Sequence, residues 1–202
     1  EKGGYEIIFP ENMDKLCCGQ AFESKGFLKT ADKKSVELSN ELLKESEYGT
    51  IPILFDTSPC LQRMKTTIDP RLQVYEPIEF VLTFLLDKLN FTQKDVKIAI
   101  HPTCSTRKLG LVDKLKELAH ACAKEVIMPD DIYCCGFAGD RGFNFPELNM
   151  AALDTLKEQV EDCSAGYSTS KTCEIGLSLH GGIPYKSILY LVDDATTPLQ
   201  TP

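Results

Sequence analysis

An α/β fold built from two related halves follows from three features of the 202-residue sequence: apolar runs that alternate with amphipathic stretches, a Cys-Cys-Gly motif that occurs twice, and one further cysteine after each copy. The copies are Leu16-Cys17-Cys18-Gly19-Gln20-Ala21-Phe22-Glu23-Ser24-Lys25-Gly26-Phe27 and Tyr133-Cys134-Cys135-Gly136-Phe137-Ala138-Gly139-Asp140-Arg141-Gly142-Phe143, aligned with one residue of slippage. Ahead of each lies an apolar run closed by proline, residues 6–10 and 125–129, which reads as a short buried strand. Behind each lies an amphipathic stretch with apolar residues near helical spacing, residues 31–47 and 146–162, with Pro146 well placed to open its helix. A second apolar run, 51–56 or 166–170, then leads to Cys60 in Ser58-Pro59-Cys60 or to Cys173 in Lys171-Thr172-Cys173.

The second half also carries a leading strand, 96–101, that runs into Pro102-Thr103-Cys104 and is followed by a helix over about 108–124. Such alternation predicts two pseudo-repeated, Rossmann-like α/β halves with mostly parallel strands. By analogy, the first half's own leading strand and cysteine fall upstream of Glu1, so that half is expected to be truncated at its N-terminus. A hydrophobic helix over about 77–89 joins the halves, which divides the chain into 1–92 and 93–202.

Composition narrows the function. The chain has 22 basic and 30 acidic residues, a formal charge of −8, and no basic run, which disfavours a phosphate-backbone partner and hence nucleic acid. No apolar stretch reaches the roughly 20 residues that span a bilayer. Nine cysteines are present, an odd number, and four of them stand as adjacent pairs. Neighbouring cysteines bond to each other only through a strained ring, so a disulfide framework fits badly. Dense, clustered thiols fit metal ligation in a reducing compartment.

Cys104, Cys134, Cys135 and Cys173 are all expected at strand ends or in the turns that follow, on the edge of an α/β sheet where sites gather. They form the candidate metal site, and Cys17, Cys18 and Cys60 are the matching three of the first half. Adjacent side chains of an extended chain point to opposite faces, so both thiols of a pair reach one site only where the backbone turns sharply, which Gly19 or Gly136 permits. A tetrahedral zinc prefers ligands two or more residues apart, whereas a multi-iron cluster offers separate irons to neighbouring sulfurs. Cys122 and Cys163 read as packing. His101 and His180, near Cys104 and Cys173, could bond a cluster sulfur or ligate, although a satisfied loop histidine is the commoner case. Lys25 and Arg141, matched in the repeat, could offset thiolate charge or be solvated surface cations.

At these residues the chain resembles the cysteine-rich CCG domain family, whose pattern is a cysteine, a spacer, Cys-Cys-Gly, a second spacer and Cys-x-x-Cys. That family includes the cysteine-rich component of heterodisulfide reductase, glycolate oxidase iron–sulfur proteins and lactate-utilisation proteins. The two Cys-Cys-Gly segments look most like the C-terminal iron–sulfur part of FAD-linked D-lactate dehydrogenases. The resemblance implies an electron-transfer segment that holds an iron–sulfur cluster, [4Fe–4S] or noncubane, or else a zinc. It implies as partners the flavin and ferredoxin-like domains of the same polypeptide or complex, with FAD in an upstream domain that oxidises a D-2-hydroxy acid. Cys60 is followed by Leu61-Gln62-Arg63 and Cys173 by Glu174-Ile175-Gly176, so the last cysteine of the family pattern is absent from both halves.

Within the chain itself no glycine-rich nucleotide fingerprint, paired carboxylates or Ser-His-Asp arrangement stands out, and no catalytic residue is assigned. The expected roles are electron transfer, a structural zinc-holding or docking domain, or a dithiol module based on Cys134 and Cys135, in that order. The expected location is the cytoplasm, at most peripheral to the inner face of the membrane.

Overall fold

In the computed structural model, which describes residues 1–199, the strands run β1 (Ile53–Leu54), β2 (Val74–Tyr75), β3 (Leu89–Phe91), β4 (Lys94–Ile100), β5 (Ala123–Ile127), β6 (Ala165–Ser168), β7 (Tyr185–Ser187) and β8 (Thr196–Pro198). The helices are α1 (Gln20–Glu23), α2 (Leu28–Glu45), α3 (Ser58–Met64), α4 (Pro77–Phe80), α5 (Cys104–Lys108), α6 (Val112–Cys122), α7 (Arg141–Asn144), α8 (Pro146–Ala152), α9 (Leu156–Val160), α10 (Lys171–Gly181) and α11 (Ile188–Ala195). The architecture is α/β, as the alternation predicts. Strands β5, β4, β6 and β7 lie in that order in one sheet, and every pairing within it is parallel.

Alternation along the central strand divides the core. Ile98 and Ile100 face one layer, packed with Leu115 and Leu118 of α6 and Leu191 and Val192 of α11. Ala99, between them, faces the other layer, which holds Leu156, Val160 and Leu177 from α9 and α10. A β-strand sends successive side chains to opposite faces, so three consecutive buried residues require cover on both sides of the sheet. Ile78 and Val81, from the segment that joins the halves, belong to the first of these layers. Strand β3 pairs antiparallel with β8, so the joining segment and the C-terminal strand close the same side.

The first half is thinner. Strand β1 pairs with β2 alone, in parallel, over two residues each. On α2 the buried residues are Ala31, Ser35, Ser39 and Leu42, a narrow stripe at helical spacing whose small members let the helix lie close against the cysteine turn. Leu61 and Met64 of α3 are fully buried in this half.

Several sequence expectations shift. Residues 6–10 form no strand: Ile7, Ile8 and Phe9 are exposed and find no neighbouring strand to bond. The helix expected over 108–124 starts at Cys104 and breaks at Gly110, whose φ of +73° separates α5 from α6. The helix expected over 146–162 also breaks, at Leu153 to Thr155, so that Leu153 and Leu156 both reach the core. The helix over 77–89 is one α-turn that continues into a π-helical turn, Val81–Leu85. Likeness between the halves extends to the Cys-Cys-Gly turns and the helix behind each; the sheets differ.

Candidate metal centre

Three parallel strands deliver the four cysteines of the second half to one edge of the sheet. Strand β4 ends at Ile100, and Thr103 then caps α5 by accepting the Thr106 N–H at 3.1 Å, which puts Cys104 in the helix's first position. Strand β5 leads through residues 128–133 to Cys134 and Cys135. Strand β6 leads through Thr169 and Ser170 to Cys173 in the first turn of α10.

Gly136 makes the turn between them. Its φ is +71°, a region L side chains rarely adopt, and a Cβ there would collide with the Leu148 carbonyl oxygen. The Gly136 N–H consequently points back to Cys134 Sγ at 3.3 Å. The Cys135 carbonyl accepts from Asn149 Nδ2, on the buried side of α8. The first half repeats each detail: Gly19 has φ +88° and abuts the Ala31 carbonyl, its N–H meets Cys17 Sγ at 3.3 Å, and Ser35 Oγ donates to the Cys18 carbonyl at 2.6 Å. Ser35 and Asn149 escape a reading of the sequence. Their only signal is a polar residue on a helix's apolar stripe.

In the second half Cys135 Sγ stands 2.9 Å from Cys173 Sγ, and Cys104 Sγ lies 3.9 Å from the Tyr133 carbonyl oxygen next to Cys134. In the first half Cys18 Sγ stands 3.1 Å from Cys60 Sγ. All nine cysteines are free. Hydrogen bonding from Cys104 and Cys135 holds the Cys134 thiol well below the usual thiol range, and the bond from Cys60 brings Cys18 down to about 6. Donation to Cys134 and Cys18, together with burial, pushes Cys104 and Cys60 up in turn. Cys104 and Cys134 are exposed, Cys135 is buried, and the centre opens to solvent on one side.

The donor set, four cysteine thiols, suits either a zinc ion or an iron–sulfur cluster. Four Zn–S bonds of 2.3 Å place sulfurs roughly 3.8 Å apart, wider than the pair at 2.9 Å, and among the described residues no three His, Cys, Asp or Glu side chains are arranged around a single ion site. Binding either group must spread Cys135 from Cys173. His101 lies three residues before Cys104. It is 1 % exposed, its Nε2 is buried without a partner, and burial lowers its pKa to about 4.

Other residues separate clearly from the centre. Cys122 and Cys163 sit in the two core layers, and burial alone pushes Cys122 up to about 12. Lys25 pairs with Asp140 at 2.6 Å and Arg141 donates to the Ser24 carbonyl at 2.8 Å, so these two cations fasten one Cys-Cys-Gly loop to the other, and neither reaches a thiolate. His180 lies in the last turn of α10, away from Cys173 in the first. A buried hydroxyl network joins the halves beside the cysteines: Ser58 Oγ donates to Glu76 at 2.8 Å, the Ser58 N–H to the Thr169 carbonyl at 3.1 Å, and Thr106 Oγ1 lies 2.8 Å from those of Thr103 and Thr169.

A parallel sheet with four cysteines at the ends of three strands, two of them in a Cys-Cys-Gly turn, defines a cysteine-rich redox or metal-binding domain. Residues 98–178 match the family model of the cysteine-rich domain CCG. Three curated relatives are similar over most of the chain. Lactate utilization protein A of Oceanobacillus iheyensis is 28% identical over 185 residues, 83% of this chain and 72% of the relative. Lactate utilization protein A of Geobacillus thermodenitrificans is 24% identical over 200 residues, 91% of this chain and 81% of the relative. Lactate utilization protein A 1 of Bacillus mycoides is 23% identical over 193 residues, 88% and 77%. Among solved structures, Picrophilus torridus aspartate racemase aligns with 87% of this chain and 76% of its own at 12% identity and a TM-score of 0.38, a likeness too loose to carry an argument.

Proposed function

We propose that this chain is an iron–sulfur electron-transfer segment that serves a flavin-dependent D-2-hydroxy acid dehydrogenase, with D-lactate or a close analogue as the substrate of the whole assembly. The observation that carries the reading is the run of four thiols, Cys104, Cys134, Cys135 and Cys173, at one edge of the parallel sheet. The CCG match and the lactate-utilisation relatives support it. A [4Fe–4S] or noncubane cluster held there would supply one-electron transfer between a flavin and an onward acceptor. The chain's own residues would bind and tune it: Cys134 offers a thiolate already bonded by the Gly136 N–H, and the exposed side at Cys104 and Cys134 gives a partner access. Flavin and ferredoxin-like domains would be the partners.

Among the described residues no helix is long and apolar enough to cross a membrane. In this reading the segment works in the cytoplasm, at most peripheral to the inner face of the membrane.

In the assembled enzyme, Cys134→Ser or Cys173→Ser should leave the flavin reducible by substrate in a single turnover and impair electron delivery to the distal acceptor. Stopped-flow absorbance reads both steps. Loss of flavin reduction itself would mean that the segment shapes the substrate site, and unchanged onward transfer would favour a structural zinc.

A second reading, a dithiol module, moves from the adjacent Cys134 and Cys135 expected from sequence to Cys135 and Cys173, whose sulfurs approach to 2.9 Å. In it the two thiols lose two electrons and two protons to a disulfide-class oxidant, which leaves as two thiols. Cys104→Ser separates the readings, because it removes a cluster ligand and leaves that pair intact.

A further inference from the structure

Two nitrogen donors beside the second cysteine centre have no partner. His101 follows the last residue of β4, and its Nε2 is buried and unbonded although the residue is almost wholly enclosed. Arg107, one turn along α5 from Cys104, has a buried and unbonded Nε while its guanidinium lies over the Tyr133 ring, 5.2 Å from the centroid. Leaving a buried donor unpaired costs about 1–3 kcal/mol, so two at one place indicate an acceptor that belongs there. His101 stands three residues before Cys104, between the end of β4 and the start of α5, at the edge of the sheet that carries the cysteines. Tyr133 adjoins Cys134 in sequence, and its carbonyl is 3.9 Å from Cys104 Sγ. Both donors therefore flank the exposed pair, Cys104 and Cys134, where negative charge would accumulate.

We infer that His101 and Arg107 are positioning residues of the second centre, and that their side-chain N–H groups donate to the anionic group its four cysteines hold and so set its reduction potential. This rests on the iron–sulfur reading above and deepens it. One-electron reduction adds a negative charge to the bound group, and a fixed donor or cation stabilises the reduced form more than the oxidised one. Both residues thus raise the potential. Neither need be a ligand, and neither takes part in a covalent step.

The test is spectroelectrochemical titration of the anaerobically reconstituted chain, with iron and sulfide measured on each sample, for the wild type, His101→Phe, His101→Gln and Arg107→Met. Phe and Met fill similar space and remove the donor; Gln keeps one. His101→Phe and Arg107→Met should each keep the iron content and lower the equilibrium constant for reduction about tenfold, which is 59 mV for a one-electron couple. His101→Gln should return most of that shift. Pulsed EPR of the reduced wild type should show weak coupling to a histidine nitrogen that His101→Phe abolishes. Unchanged potentials at full iron content would overturn the inference and leave the cluster reading standing. Iron lost in both His101 variants would make His101 a ligand and overturn its role as donor. A wild-type chain that takes up neither iron nor sulfide would overturn the cluster reading and this inference together.

Discussion

Replacing Gly136 by alanine tests whether the Cys-Cys-Gly turn is dictated by the backbone. Two costs add at this position. The φ of +71° is left-handed, which a Cβ makes roughly 1–2 kcal/mol less favourable. The added methyl also meets the Leu148 carbonyl oxygen, with Asn149 Cα and Ala152 Cβ at 2.9 Å, so α8 must move back, and overpacking of that kind costs typically about 1–3 kcal/mol. The sum is about 2–5 kcal/mol. Gly110 is the control: its φ is +73°, yet nothing lies within 4 Å of a Cβ built there. Gly110→Ala should lose only the conformational share, about 1–2 kcal/mol. The entropy that alanine removes from the unfolded chain is common to both variants and cancels in the comparison. Urea unfolding of the metal-free, reduced chain reads the difference as a shift of midpoint at constant slope. A Gly136→Ala loss no greater than that of Gly110→Ala would refute the collision and, with it, the claim that α8 fixes the turn.

Three further expectations rest on other parts of the structure. Asn149→Leu should cost about 1–3 kcal/mol by leaving the buried Cys135 carbonyl without its donor, and Ser35→Ala should do the same for Cys18; denaturation midpoints check both. Burial raises the Glu76 pKa above its ordinary value near 4.5, so the folded state favours the protonated carboxyl: its contribution is complete below 4.5 and is lost as pH rises through the raised value, and Glu76→Gln should flatten that slope in unfolding curves taken from about pH 4 to 8. Cys122→Ala and Cys163→Ala should leave iron content unchanged while lowering stability by about 1–2 kcal/mol, since both thiols serve as packing in the two core layers.

Much of this architecture is legible in the sequence because its signals are local. The 96–101 and 166–170 runs emerge as β4 and β6, and the glycine after each cysteine pair adopts the left-handed conformation the turn requires. The segment at 6–10 has the same apolar character as β5 and forms no strand, because a strand needs a neighbour and pattern alone does not supply one. Breaks at Gly110 and near Asp154 are hidden within otherwise periodic stretches. At the cysteines, clustering of Cys104 with Cys134, Cys135 and Cys173 follows from strand order. Asn149, Glu76 and the pairing of Lys25 with Asp140 depend on how loops distant in sequence meet, and no spacing rule carries that information.

If Cys104, Cys134, Cys135 and Cys173 hold an iron–sulfur group, the most direct measurement is joint quantification of iron, acid-labile sulfide and zinc in chain prepared and reconstituted without oxygen. Iron and sulfide are expected in equal amounts with little zinc, and both should be lost in Cys134→Ser and Cys173→Ser but not in Cys122→Ala. Stoichiometric zinc without sulfide, or iron that survives both serine substitutions, would contradict the assignment.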